Sequence, residues 1–254
     1  MMMRLTCLFL CFLLFSLSGF AQQKNIFKST LFGLQLKPIF GSSLIGNSTT
    51  ELKNAVFSGG FEQKTGNSYG AILRIPLTPS ISIETGLNQT TRNYAVHFQR
   101  SDTLISSTTS LRFLNYEVPV NALYFVKLTK NSFLNTAFGA VIVYSPSNVA
   151  SVSNEHKTMV FKTEGRRISY FSLEINGGLG IEWRTLRSGY IYLGSSVRIP
   201  TQAIYNVALV SESSIYKKEV LLGKLNGSYI TLDLRYYLPS QSRKEKLESY
   251  GPIE

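Results

Sequence analysis

The sequence predicts an all-β fold: an eight-stranded antiparallel up-and-down transmembrane β-barrel with short periplasmic turns and long extracellular loops. Three observations carry this prediction. Apolar and polar residues alternate over strand-length stretches, the chain begins with a secretion-type leader, and short connections alternate with long ones. Bacterial outer-membrane barrels show the same alternation of connection lengths.

The alternation of residues is clearest in a hairpin whose arms are residues 168–183 and 190–199. This period of two predicts strands rather than helices. Because lipid cannot satisfy the hydrogen bonds of an open sheet edge, strands that cross a membrane must close into a barrel. The apolar positions, which we expect to face lipid, are Phe171, Leu173, Ile175, Leu179, Ile181 and Trp183 in one arm and Ile191, Leu193, Val197 and Ile199 in the other.

Eight stretches of the chain show this pattern, and each is predicted to be a strand. The connections after the second, fourth and sixth strands are short. The other connections are long and polar, and we expect them to be loops at 41–67, 99–110, 145–167 and 200–227, the last with a weakly apolar patch at 203–210. The predicted strands are 31–40, 68–77, 81–98, 111–126, 133–144, 168–183, 190–199 and 228–238.

Pro76 and Pro119 fall inside predicted strands. Each lacks the backbone N–H that a ladder of a closed sheet needs. Either a β-bulge absorbs each proline or a strand boundary lies elsewhere.

The first 21 residues are predicted to be a signal peptide. Arg4 supplies the charge, 5–17 is apolar, and Gly19-Phe20-Ala21 suits a signal peptidase. This apolar run is too short for a transmembrane helix, which needs about 20 residues. We expect a periplasmic segment at 22–30, the barrel at 31–238 and a periplasmic tail at 239–254. Both cysteines lie in the signal peptide, which leaves the mature chain without a disulfide or a thiolate metal site.

A formal net charge of +11 can indicate a nucleic-acid-binding protein, but here the basic residues do not form one dense run. We place them in turns and in or beside loops, where they would be solvated and face anionic lipid headgroups. The residues so placed are Lys127, Lys130, Arg184 and Arg187 in turns and Arg92, Arg100, Arg112, Arg166, Arg167, Lys217 and Lys218 in or beside loops.

The inward positions of the predicted strands carry charges of both signs. An eight-stranded barrel is just wide enough to be filled by its own side chains, and buried charges need partners. We therefore expect an interlocked salt-bridge network that plugs the lumen, with a narrow conducting path or proton relay as the alternative. The predicted members are Lys37, Arg74, Arg198 and Arg235 against Glu84, Glu117, Glu174, Glu182 and Asp233.

Aromatic residues near the strand ends are expected to form the two girdles that mark membrane interfaces. Tyr69, Tyr116 and Tyr144 would form the extracellular girdle. Tyr124, Trp183 and Tyr236 would form the periplasmic one.

The stretch Tyr116-Glu117-Val118-Pro119-Val120 and the glycine-rich stretch 177–182 resemble strands of the PorT-like small outer-membrane β-barrels of Bacteroidota. The Ala21-Gln22-Gln23 junction is similar to their signal-peptide junctions. The resemblance covers most of the mature chain. It implies an eight-stranded barrel, and some members of that family are associated with secretion or assembly machinery.

The residues offer little material for catalysis. A hydrolase needs a nucleophile, a histidine and an orienting carboxylate within mutual reach. His97, with Ser101 and Asp102 close by, is a weak candidate at the outer end of the third predicted strand, and His156 lies in the middle of a predicted loop. We expect no catalytic residues, no cofactor and no metal site.

Three functions follow as hypotheses. The first is a non-enzymatic outer-membrane barrel of a Gram-negative bacterium, an accessory or scaffold subunit of a larger secretion or protein-assembly complex, surrounded by outer-membrane lipid and lipopolysaccharide. The second is a surface ligand-binding or adhesion barrel that uses its extracellular loops. The third is a lipid A-modifying enzyme. The sequence does not favour nucleic acid as a partner.

Overall fold

The computed structural model describes residues 30–42, 49–102, 105–156, 159–185, 188–213 and 216–239, except for the side chains of 154–156. The predicted signal peptide, residues 22–29, Arg187 and the tail from residue 240 lie outside the described residues. Within the described ranges, no helix is long and apolar enough to span a membrane. The strands there are β1 (Leu31–Gly41), β2 (Thr49–Lys53), β3 (Phe57–Pro76), β4 (Ile81–Arg100), β5 (Ile105–Lys127), β6 (Ser132–Tyr144), β7 (Val149–His156), β8 (Met159–Arg167), β9 (Phe171–Thr185), β10 (Gly189–Pro200), β11 (Tyr205–Ser213), β12 (Glu219–Leu225) and β13 (Tyr229–Tyr237).

Eight of these strands form a closed ring. Strand β1 pairs with both β13 and β3, which joins the two ends of the sheet. The order around the ring is β1, β3, β4, β5, β6, β9, β10 and β13, and every pairing is antiparallel. Each ring strand overlaps one predicted strand, so the prediction of an eight-stranded antiparallel up-and-down barrel is confirmed.

One end of the barrel, which we call the turn end, carries the three short connections after β3, β5 and β9. In the first, Thr78 Oγ1 accepts a hydrogen bond from the backbone N of Ile81 at 3.0 Å. The third connection leads into Gly189, whose φ of +82° lies in the left-handed region that favours glycine. The described chain also starts and ends here, because Leu238 N donates to Phe32 O at 2.8 Å.

The described residues of the four long connections at the opposite, loop end form strands for most of their length, so the prediction that they are loops is wrong. They contain β2, β7, β8, β11 and β12, and they also supply the parts of β3, β4 and β5 that extend beyond the barrel. Strands β12, β11, β8 and β7 form a second antiparallel sheet in that order. We call the described residues within 49–64, 94–113, 149–167 and 204–225 the cap.

The cap has an apolar core of its own. Phe161 stacks on Phe57 and Phe98, with ring centroids 6.1 and 5.0 Å apart. Polar residues dominate these stretches, and this composition predicts loops. The few apolar residues nevertheless lie at alternate positions and point inward. The buried apolar residues are Phe57, Phe61, Tyr94, Val96, Phe98, Leu111, Phe113, Met159, Phe161, Ile204, Tyr205, Val207, Leu209, Leu221 and Leu225.

Side chains join the two sheets of the cap. Along the contact of β5 with β7, the hydroxyls of Ser107 and Ser153 lie 2.5 Å apart. Where β2 meets β12, Asn54 Nδ2 donates to Glu219 Oε2 at 2.9 Å. The cap is therefore one packed unit at the loop end of the barrel.

The chemistry of the two faces reverses along β4. In the barrel its inward side chains are polar, and the outward ones nearest the turn end include the exposed apolar residues Ile81, Ile83 and Leu87. Between Arg92 and Arg100 the inward side chains are apolar and the outward ones mostly polar. An apolar exterior around a polar interior suits lipid, and the opposite arrangement suits water. The buried inward residues of β4 are Ser82, Glu84, Asn88, Thr90 and Arg92 in the barrel and Tyr94, Val96 and Phe98 in the cap.

Of the two explanations for Pro76 and Pro119, a bulge or a different strand boundary, the described pairings show no bulge at either residue. In the ladder between β4 and β5, Thr85 pairs with Val120 and Asn88 pairs with Glu117, so the register is the same on both sides of Pro119. The pairs between these two, where Pro119 lies, are absent from the ladder. Pro76 is the last residue of β3, where its missing N–H matters least. A bulge does occur in β3 between residues 64 and 67, where the barrel meets the cap.

Candidate functional site

The barrel lumen is the site that the sequence predicts, and all nine predicted charged residues point into it. None of these nine residues is more than 3% exposed to solvent. Backbone geometry explains this, because successive side chains of a strand face opposite sides. The nine are Lys37, Arg74, Glu84, Glu117, Glu174, Glu182, Arg198, Asp233 and Arg235.

A tenth charged residue, Arg92, also lies in the lumen. Its predicted place in or beside a loop is wrong, because β4 continues unbroken to Arg100 and keeps Arg92 on the inward face. With Arg92, the formal charges of these ten side chains are five positive and five negative and sum to zero. The cations are Lys37, Arg74, Arg92, Arg198 and Arg235, and the carboxylates are Glu84, Glu117, Glu174, Glu182 and Asp233.

Near the turn end, two guanidinium groups share one carboxylate. Glu84 lies 3.3 Å from Arg74 and 2.6 Å from Arg235. Arg74 also contacts Glu182 at 2.5 Å. The hydroxyl of Tyr237 donates to Glu84, and its ring centroid lies 3.9 Å from Arg74 Cζ. Each carboxylate of this cluster has a cationic partner, which offsets its desolvation.

Asp233 connects Lys37 to the turn-end cluster. Its Oδ2 lies 3.4 Å from Lys37 Nζ and 2.7 Å from an Nη of Arg235. The hydroxyl of Ser196 donates to Asp233 Oδ1 at 3.2 Å, and that of Thr231 donates to the same oxygen at 2.5 Å. These hydroxyls fill acceptor positions that the charged residues leave open, and the sequence analysis missed them.

A second cluster lies toward the loop end. Arg92 contacts Glu174 at 2.5 Å and Glu117 at 3.7 Å. Arg198 contacts the same two carboxylates at 3.8 and 3.6 Å. The hydroxyl of Tyr229 donates to Glu117 at 3.2 Å, and the Tyr229 ring lies 4.6 Å from Arg92 Cζ. Two cations and two carboxylates thus form a cyclic arrangement that joins β4, β5, β9 and β10.

Neutral amides also occupy the lumen. Asn176 Nδ2 donates to Asn121 Oδ1 at 2.9 Å. Gln35 Nε2 donates to Asn88 Oδ1. Each contact links two strands that have one other strand between them in the ring, so these amides bridge over the intervening strand.

Tyr192 fills space that two glycines leave in the lumen. An added Cβ at either Gly180 or Gly194 would lie 2.6 Å from Tyr192 Cζ, which is too close for a real contact. The tyrosine is fully buried. The glycines are therefore required at these positions by the ring that covers them.

Apolar side chains and one arginine close the turn end. Leu123, Phe125 and Ala137 form a buried cluster against Phe133. Arg184 Cζ lies 3.9 Å from the Phe133 ring and 4.5 Å from the Phe125 ring. Arg184 also pairs with Glu182 at 2.7 Å. Its predicted place in a turn is wrong, because β9 extends to Thr185.

Every charged side chain of the network therefore has an oppositely charged partner at 3.6 Å or less. Four of the five carboxylates accept a hydrogen bond from an arginine, and Glu117 accepts one from Tyr229. The charges of the ten lumen residues balance, and Arg184 adds one positive charge at the turn end beside Glu182.

Comparison with known proteins gives weak likenesses. No protein-family model matches the chain, and no curated protein sequence matches it significantly. Its fold is similar to the outer-membrane protein OprG from Pseudomonas aeruginosa, with a TM-score of 0.47, 10% identity, and coverage of 82% of this chain and 95% of that one. A major outer-membrane protein from Thermus thermophilus gives a TM-score of 0.45, 11% identity, and coverage of 83% and 100%. Likenesses of this size do not place the chain in either family.

The six predicted girdle aromatics all lie on the outer face of the barrel and are at least 36% exposed. Tyr116 pairs with Tyr144, and Tyr144 pairs with Phe171, which extends that row. Toward the turn end, Trp183 and Tyr236 both pair with Ile191. The six are Tyr69, Tyr116, Tyr124, Tyr144, Trp183 and Tyr236.

His97, the weak catalytic candidate, lies on the outer face of the cap. Its Nδ1 is 3.2 Å from Thr108 Oγ1, and its Nε2 is 3.4 Å from Glu62 Oε2. Hydrogen bonds from Lys64 and His97 hold the pKa of the Glu62 carboxyl below its usual range. Asp102, the predicted neighbour, accepts from Arg100 at 2.8 Å instead. His97 is thus part of a solvent-exposed polar row.

His156 is the last residue of β7 rather than part of a loop, and its side chain lies outside the described residues. Among the described residues, no group of three side chains is placed to hold a metal ion.

Proposed function

We propose that the protein is a non-conducting outer-membrane β-barrel that anchors the cap at the cell surface and serves as an accessory or scaffold subunit of a larger complex. The reversal of inward and outward chemistry along β4 supports the membrane location, because its exposed large apolar side chains, Ile81, Ile83 and Leu87, all lie in the barrel half. The barrel strands between the aromatic rows match the about 9–11 residues that a tilted strand needs to cross a bilayer. Both termini would lie in the periplasm of a Gram-negative bacterium, with the cap outside.

The observation that carries the non-conducting part of the proposal is the balanced network of five cations and five carboxylates. An eight-stranded barrel has room for its side chains and little else. Here arginine side chains cross that space toward carboxylates on other strands, as Arg92 does toward Glu174 at 2.5 Å. The apolar cluster around Phe125 closes the turn end.

The scaffold role is supported by what the long connections build. A closed lumen leaves the outer surfaces as the places where the protein can act. The cap presents exposed apolar side chains on the outer face of its second sheet: Leu222 is 76% exposed, Val152 52% and Val220 46%. Water-facing apolar residues of this kind suit contact with another protein. The resemblance to PorT-like barrels points toward secretion or assembly machinery.

Extraction of native membranes in mild detergent, followed by sizing and identification of co-purifying proteins, tests the scaffold role. We expect a stoichiometric complex larger than the barrel. Leu222→Ser should release the partner if the cap makes the contact, whereas Leu87→Ala, on the lipid face of β4, should not. Recovery of the barrel alone from native membranes would contradict the scaffold role.

A second candidate function, surface ligand binding, is favoured by a groove of about 600 Å³ on the cap, lined by residues of β2, β3, β4 and β5. Its polar lining includes Glu51, Glu62, His97 and Thr108. Hydroxyls and carboxylates of this kind suit a polar ligand such as an oligosaccharide. A glycan array would show selective binding that Glu62→Gln weakens and Glu164→Gln, outside the groove, leaves unchanged.

A further inference from the structure

We infer that the rim of the barrel carries a binding site for the phosphate headgroup of a membrane lipid, built around Arg167. The inference deepens the proposed membrane location and rests on it. Arg167 is the last residue of β8, where the cap returns to the barrel, and β9 begins at Phe171. The site therefore lies at the border between the two halves of the molecule.

The guanidinium of Arg167 is held in place by its own chain. Its Nη1 donates to Pro146 O at 2.9 Å, and its Cζ lies 3.9 Å from the ring centroid of Tyr170. The backbone N of Arg167 donates to Asn148 Oδ1 at 3.1 Å. These contacts fix the side chain before any ligand arrives, which reduces the entropy that binding would cost.

This cation has no anionic partner among the described side chains, in contrast to the lumen arginines. The neighbouring Arg166 pairs with Glu164 at 3.4 Å, and Arg184 pairs with Glu182. The contact to Pro146 O uses one donor of Arg167, and the planar group has further N–H donors. A guanidinium with a fixed orientation and unused donors matches the oxygens of a phosphate group.

The Tyr170 ring that contacts the guanidinium belongs to a row of exposed aromatic side chains. Tyr144 stacks with Tyr170 at 6.4 Å and packs against Phe171 at 5.2 Å. Ser145 N donates to Tyr170 O at 2.9 Å, which ties the segment after β6 to the segment before β9. Aromatic rings at this level occupy the interface between headgroups and acyl chains.

The lipid-facing surface continues directly below the site. Ile142 and Leu173 pair across β6 and β9, and both side chains are exposed. A phosphate-bearing lipid can place its headgroup on Arg167 and its acyl chains against these residues. A soluble anion would use only the guanidinium, and an acidic protein segment would not use the apolar surface below it.

Native mass spectrometry of the full chain in detergent micelles tests the site. The probe is short-chain phosphatidic acid, with phosphatidylcholine and inorganic phosphate as the comparison ligands. We expect one tightly bound phosphatidic acid and about tenfold weaker binding to Arg167→Gln, because a charge-assisted hydrogen bond is lost. Arg167→Lys, which keeps the charge and loses the planar geometry, should fall between the two.

Arg112→Gln is the matched control. Arg112 is an exposed arginine of the cap that donates to Asn93 Oδ1 at 3.3 Å and has no aromatic neighbour among the described contacts. Its replacement removes the same charge and should leave the affinity unchanged. An equal loss in both variants would mean general electrostatic attraction and would overturn the site, as would full binding to Arg167→Gln.

The ligand class is tested in the same titrations. If inorganic phosphate saturates the site as tightly as phosphatidic acid, the lipid assignment is wrong. Flotation with phosphatidylcholine vesicles separates this inference from the proposed location. If the chain inserts into vesicles but its lipid binding does not depend on Arg167, only the lipid site is contradicted. If a folded chain does not insert, the membrane location itself is contradicted.

Discussion

Arg92 of β4 and Glu174 of β9 form an ion pair of 2.5 Å across the lumen, although 82 residues separate them in the chain. Both side chains are buried. The pair ties opposite parts of the ring together, and it completes the charge balance of the interior. Because the pair is buried, the loss of either partner should cost far more free energy of unfolding than the loss of a partner in an exposed pair.

Arg92→Met should destabilise the barrel strongly. It leaves Glu174 and Glu117 with Arg198 as their remaining cation, and an incompletely compensated buried charge costs about 3 kcal/mol. Urea unfolding in micelles, followed by heat-modifiable gel migration, measures the loss. Arg112→Met on the cap surface should change the free energy of unfolding by less than about 0.5 kcal/mol. Similar losses in both variants would argue against a special role for the lumen pair.

Removal of both partners tests the interaction itself. Arg92→Met combined with Glu174→Leu removes one cation and one carboxylate, so the lumen stays neutral. We expect the double variant to be more stable than Arg92→Met alone, because no unpaired carboxylate remains in excess. A double variant whose loss equals the sum of the single losses would show that the two residues do not interact.

The glycines beneath Tyr192 should tolerate no side chain. A methyl group at Gly194 would collide with Tyr192, and Gly194→Ala should cost about 1–3 kcal/mol of the free energy of unfolding. Gly177→Ala is the control, because an added Cβ there has no atom within 4 Å. The same unfolding titration compares the two. Equal stability of Gly194→Ala and Gly177→Ala would contradict the packing of Tyr192 described above.

The cap should open without loss of the barrel. Phe161 is fully buried between Phe57 and Phe98, so Phe161→Ala should cost the cap about 3–5 kcal/mol. Limited proteolysis of membrane-inserted protein would then cut the cap while the barrel fragment keeps its heat-modifiable migration. Val152→Ala, at an exposed position of β7, should leave the cap resistant. Loss of barrel migration in Phe161→Ala would show that the two halves fold as one cooperative unit.

The barrel could be predicted from sequence because its strands alternate, with apolar residues mostly facing outward and polar residues mostly facing inward. Residues such as Leu173 and Ile175 face outward while Glu174 faces inward, and this period of two fixes both strand type and face. Inward charges such as Arg74 and Asp233 could therefore be identified one by one. Their pairing could not, because contacts such as Arg74 with Glu182 depend on the register and closure of the ring.

The cap could not be predicted because its strands are short and their polar faces dominate the composition. Phe57 and Phe61 alternate with glycine and serine, which resembles a loop when the pattern is followed over a few residues. The position of Arg92 was missed for a related reason. The outward residues of β4 become polar before the strand ends, so the apolar pattern stops while the strand continues to Arg100.

We propose that the lumen of the barrel is closed by its own side chains. Single-channel recording in a planar bilayer tests this most directly, with insertion verified by heat-modifiable migration and a known porin as the conducting control. The structure predicts no steady conductance from the wild-type protein, because the balanced charge network and the cluster around Phe125 fill the path. A steady, ion-selective conductance from the inserted wild-type chain would contradict the claim and make the lumen a pathway.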